Sequence, residues 1–140
     1  MISAILFYSL FVLQPFEGWD TLSKLEIEGQ YDEFFNETID VPVFSDDLLA
    51  FDGKQIEIEG YVIPLQTSGE QEYFVLSRFP YNSCFFCGNA GPETVAEVYV
   101  TDPVTVQDER VRVIGRLKLN AADPLHLFYI LEEAVVQKLD

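Results

Sequence analysis

From Lys54 onward, apolar and polar residues alternate in five runs. Arg110–Leu119 is the clearest. There Val111, Val113, Leu117 and Leu119 share one face, and Arg110, Arg112, Arg116 and Lys118 the other. That period of two predicts a half-buried strand. Gln55–Leu65, Glu72–Phe79, Thr94–Thr101 and Leu127–Val136 read as four more. Turn residues separate them: Thr67–Glu70, Asn82–Pro92, Asp102-Pro103 and Asn120–Pro124. Gly60 and Gly115 interrupt the two longest runs and predict a bulge or bend at each. The class is mainly β. Five antiparallel strands, two of them bent, predict a small closed barrel, because bending lets a short sheet curl and lose its edges. The five-stranded Greek-key barrel, the OB-fold, is preferred to a plain meander. The helix usual between its third and fourth strands has only Asp102 to Glu109 to occupy, room for a turn.

The residues before the barrel fall into two parts. Ala4–Leu13 is apolar apart from one serine. A membrane-spanning helix needs about 20 residues, so this run is too short, and its length suits the core of a secretory signal. Residues 1–16 are therefore read as a signal peptide, with the mature chain starting near Gln14–Glu17. A buried terminal strand is the alternative, because no Lys or Arg precedes Lys24. Residues 17–52 form an acidic extension in which Trp19, Leu22, Leu25, Tyr31, Phe34 and Phe35 interleave with carboxylates. Short helices are expected there, one capped by Asp20 and one, Asp46–Phe51, capped by Ser45. Asp52-Gly53 marks a turn into the barrel domain, residues 53–140.

Composition narrows the function classes. The chain has 140 residues, about one domain, and is 49% hydrophobic, enough to fill a core. With 8 basic and 24 acidic residues, its net charge is −16. Such a surface repels phosphate backbones and anionic lipid, so nucleic acid is not an expected partner. A signal peptide implies a periplasmic or secreted protein; with no cysteine near residue 14, no membrane anchor is expected in the mature chain, which is read as a monomer.

Both cysteines fall in one loop, Cys84-x-x-Cys87, between the second and third barrel strands. Three chemistries use this spacing. The first is metal binding: two thiolates in a turn can hold a soft ion such as zinc, which takes four ligands. His126, the sole histidine, and Glu93, the carboxylate nearest in sequence, are the candidates to complete the set. In a strict OB topology the second–third and fourth–fifth loops are expected at opposite barrel ends, a separation of roughly 20 Å for a six-residue strand. The loop must then fold back to reach His126. The second chemistry is thiol–disulfide exchange. It is disfavoured because Gly88, Gly91 and Pro92 follow where a helix N-terminus should lower the thiol pKa. The third is a structural disulfide stapling an interaction module that docks a basic partner by its acidic face. Haem attachment is excluded, since Gly88 stands where Cys-x-x-Cys-His needs histidine.

The remaining candidates have simpler readings. The Arg110, Arg112, Arg116 and Lys118 stripe is expected to pair with carboxylates on a neighbouring strand. Tyr73, Phe74, Phe79, Tyr81, Phe85 and Phe86 could form a stacking platform but are better explained as core and loop packing. Asn36-Glu-Thr38 matches a glycosylation sequon, a frequent chance match. There is no phosphate loop for a nucleotide, no Ser/His/Asp set and no paired-carboxylate motif, so the sequence points to a binding protein more than to an enzyme.

Gly60–Leu65 (GYVIPL), Glu72–Ser77 (EYFVLS) and a cysteine-bearing loop ending Gly91-Pro-Glu-Thr-Val95 resemble an uncharacterised family of small exported bacterial proteins, domain of unknown function 3299. The resemblance covers about Phe44 to Val136. Many members carry Cys-x-His and a proline-rich stretch in this loop, and members are often encoded beside metal-uptake systems. This chain has Cys84-x-x-Cys87 instead, an exchange between the two commonest zinc ligands. The resemblance thus favours soft-metal handling; the expected zinc ligands remain those read from the residues, Cys84, Cys87, His126 and Glu93, with a periplasmic protein as a further expected partner.

Overall fold

The computed structural model describes residues 15–64, 69–80, 90–106 and 109–139. In chain order these form α1 (Trp19–Leu22), β1 (Leu25–Asp32), β2 (Glu37–Phe44), α2 (Asp46–Leu49), β3 (Gln55–Pro64), β4 (Gln71–Ser77), β5 (Val95–Val104), β6 (Arg110–Leu119) and β7 (Tyr129–Lys138). A 3-10 turn, Pro92–Thr94, leads into β5.

Strands β3 to β7 close into a barrel in the order β3-β4-β5-β7-β6, with β6 returning to β3. This is the OB-like order. One pair departs from the expectation of antiparallel strands throughout: β5 and β7 are parallel. The reason is topological. A ring of five strands cannot alternate direction all the way round, so one neighbouring pair must run the same way.

Both barrel glycines sit at bends. At Gly60 and Tyr61, β3 passes from pairing with β6 to pairing with β4. A Cβ on Gly60 would lie 2.7 Å from the Ser77 carbonyl oxygen, so only glycine lets the strands cross this closely. Gly115 lies at a register shift between β6 and β7, opposite Glu133, whose φ of 50° marks the bulge. The alternating faces separate as read. Val62, Phe74, Leu76, Val98, Val111, Val113, Leu117 and Leu131 fill the interior. On the outer wall Arg110 and Arg112 pair with Glu59, and Arg116 with Glu132 and Glu133.

The acidic extension differs from the helical expectation. Its two helices are one turn each, and β1 and β2 between them form an antiparallel hairpin. Leu25, Ile27 and Tyr31 alternate along β1, and Ile39, Val41 and Val43 along β2, the period of a strand. At the turn, Asp32 Oδ1 accepts from the amides of Phe34 (2.8 Å) and Phe35 (3.1 Å). Asn36 takes a φ of 54°, which asparagine tolerates. Ser45 caps α2 as expected, accepting from the Leu48 amide. Asp20 does not cap α1; Gly18 holds that place and Asp20 lies within the turn. Trp19, Leu22 and Leu48 nonetheless join the barrel core, and the indole N–H of Trp19 donates to the Glu59 carbonyl. Phe16 packs edge-on against Phe51, centroids 5.2 Å apart.

Candidate functional site

Cys84 and Cys87 lie outside the described residues, as do Tyr81, Phe85 and Phe86. The flanks of their segment are described. Its neck is closed by the Arg78 amide, which donates to the Thr94 carbonyl at 2.9 Å. Thr94 in turn donates from its hydroxyl to the Gly91 carbonyl at 2.6 Å. Arg78 is anchored to Asp20 at 3.0 Å and lies over the Phe79 ring.

The parallel pairing of β5 with β7 corrects the expected separation of the cysteine loop from His126. Parallel strands begin at the same barrel end. The segment entering β5 and the turn entering β7 therefore share one end, and no fold-back along the barrel is required.

His126 sits in a turn organised by Asn120. The Asn120 side chain donates to the carbonyls of Asp123, His126 and Leu127 and accepts from the Asp123 amide. Glu97 reaches this turn from β5. Its carboxylate accepts from His126 Nδ1 (3.0 Å), the Leu127 amide (2.8 Å) and the Tyr99 hydroxyl (2.8 Å). Hydrogen bonding and charge from Glu97 raise the His126 pKa above its ordinary value. Burial, followed by Glu97, pushes the Tyr99 hydroxyl up to about 12. The other ring nitrogen of His126, Nε2, lies 3.9 Å from Asp123. Tyr99 also stacks on Tyr73, centroids 5.9 Å apart. Phe74, from the same sequence cluster, is buried core.

Glu93 takes a different direction. Its carboxylate folds over Gly91, where an added Cβ would fall 2.2 Å from it. Its charge, after burial, contributes to raising the pKa of Tyr129. That buried hydroxyl donates to the Leu22 carbonyl. Glu93 is not a partner of His126, whose carboxylates are Glu97 and Asp123. Sequence reasoning passed over Glu97, although it is the one charged residue within Thr94–Thr101. Among the described residues, no three His, Cys, Asp or Glu side chains are grouped to hold a metal ion. Among them, too, no helix is long and apolar enough to cross a membrane.

No protein-family model and no curated protein matches the chain. A solved structure does. The barrel is similar to that of a DUF3299 family protein. That protein is from Pseudomonas aeruginosa, with a TM-score of 0.50 and 24% sequence identity. The match covers 65% of this chain and 64% of that one, just under two-thirds of its length. The likeness is one of fold, and it agrees with the DUF3299 resemblance carried by Gly60–Leu65 and Glu72–Ser77.

Proposed function

We propose that this protein is a small exported, periplasmic monomer that binds a soft metal ion, zinc by preference, through Cys84 and Cys87, with His126 as the third protein ligand. The observation that carries the reading is the Glu97–His126 pair. Metal-ligating histidines commonly donate one ring N–H to a carboxylate, which fixes the tautomer and makes the other nitrogen more basic. Glu97 accepts from Nδ1 and so leaves the Nε2 lone pair for a metal. The common barrel end of the His126 turn and the flanks of the cysteine segment supports the same reading. Glu93, turned onto Gly91, is dropped from the ligand set in favour of water or Asp123.

The test is metal content by mass spectrometry, with free thiols counted, on protein isolated from its own compartment without chelator. The expected result is one equivalent of zinc, with thiols accessible only after chelation. Cys84→Ser should lose the metal, and His126→Ala should weaken its retention. Equal metal in wild type and Cys84→Ser would refute the site. Absence of both metal and free thiol would replace it with a disulfide.

A further inference from the structure

The β1–β2 hairpin stands apart from the barrel sheet as a two-stranded ribbon. Nearly every position of β1 is exposed, and Tyr31 (64%) and Phe34 (75%) carry large apolar side chains into solvent at its tip. An isolated two-stranded hairpin is marginal in water, so such a ribbon gains from a partner laid against it. The hairpin also has a one-sided charge. Residues 25–44 hold six carboxylates, Glu26, Glu28, Asp32, Glu33, Glu37 and Asp40, and no Lys or Arg. Between one face of the hairpin and the 120–128 turn runs a groove of about 380 Å³. Its lining includes the aromatic rings of Tyr31, Phe35 and Phe128 and the carboxylates of Asp32, Asp40 and Asp123.

We propose that this groove docks a basic, Lys- or Arg-bearing segment of a protein partner, whose side-chain stems lie on Tyr31 and Phe35 while their charges meet Asp32 and Asp40. Charge complementarity selects this occupant. A second copy of the chain brings another net charge of −16 and is repelled. Long cationic side chains combine an apolar stem with a charged head and match a lining of aromatic rings and carboxylates. Complementary charge at an interface mainly accelerates encounter and selects the partner. The groove shares His126 and Asp123 with the proposed metal site but neither cysteine, so its test is run on metal-free protein.

The test uses a labelled alternating Lys-Val octapeptide and its Glu-Val counterpart, read by fluorescence anisotropy against the mature protein with chelator present. Chelator removes the metal reading from the outcome. The Lys-Val peptide should bind, the Glu-Val peptide should not, and affinity should fall steeply with salt. Asp32→Asn/Asp40→Asn should bind roughly tenfold more weakly, as expected for loss of two exposed ion pairs. The Asp32→Asn exchange keeps the side-chain oxygen that holds the turn, so this variant preserves the hairpin. Glu70→Gln/Asp102→Asn, at the opposite barrel end, removes the same charge and should change affinity less than about twofold. No binding, or equal loss in both double variants, overturns the proposal. Retention on neutral phosphatidylcholine vesicles that disappears in Phe34→Ser/Phe35→Ser also overturns it, because the exposed tip would then be a membrane anchor.

Discussion

Glu97→Gln should release His126 and loosen the turn that carries it. The carboxylate of Glu97 is 16% exposed and serves His126 Nδ1, the Leu127 amide and the Tyr99 hydroxyl. Glutamine keeps an acceptor oxygen but loses the charge and places an NH2 where one of the donors points. Hydrogen bonds to charged groups are worth about 1.5–3 kcal/mol when buried. His126 is 42% exposed, so solvent screening reduces its share. The net expected loss is about 1–2 kcal/mol, or several degrees in Tm for a domain of this size. The linkage has a definite sign. The folded pKa of His126 is raised, so its stabilisation is complete below the ordinary histidine value and is lost as pH rises through the raised folded value. Because the chain has one histidine, NMR titration of metal-free protein gives a single imidazole curve. In Glu97→Gln that curve should move down towards the ordinary value, and the pH dependence of Tm across the window should flatten. An unchanged His126 titration in Glu97→Gln would show that the pairing is not what raises it, and the tautomer argument for the metal ligand would fall with it.

Gly60→Ala should destabilise by about 2–4 kcal/mol in urea unfolding, because the new methyl meets backbone at 2.7 Å. Gly91→Ala, though its Cβ falls nearer still to a neighbour, should lose less than about 1 kcal/mol, because that neighbour is the movable Glu93 carboxylate. Tyr129→Phe removes the buried hydrogen bond to Leu22 and leaves its carbonyl without that donor, for a loss of about 1–2 kcal/mol by thermal unfolding. A chain beginning at Glu17 should be less stable to thermal unfolding than one beginning at Pro15, by about 1 kcal/mol, because it lacks the Phe16 edge contact with Phe51. Equal stability of the two would show that Phe16 adds nothing to the fold.

Strand β6 was the most legible because it has one wet and one dry face, whereas β4 is buried at four successive positions, Phe74–Ser77. Val111, Val113 and Leu117 alternate with arginines because the first set fills the interior and the second meets carboxylates on the outer wall. The two bending glycines were legible for a related reason: a residue without a side chain inside such a run marks a place where backbones crowd. The β1–β2 hairpin was harder to read, since β1 is exposed along nearly its whole length and the density of carboxylates hides the alternation of Leu25, Ile27 and Tyr31. A parallel pair is forced once five strands close into a ring, yet only the strand order decides which pair it is. That order, set by long-range pairing, brings the β7 turn to the end where β5 begins and gives His126 the Glu97 carboxylate. Local pattern therefore determined which residues face inward. Only the tertiary structure decided which outward-facing residues meet, because partners such as Glu97 and His126 are 29 positions apart and no local period relates them.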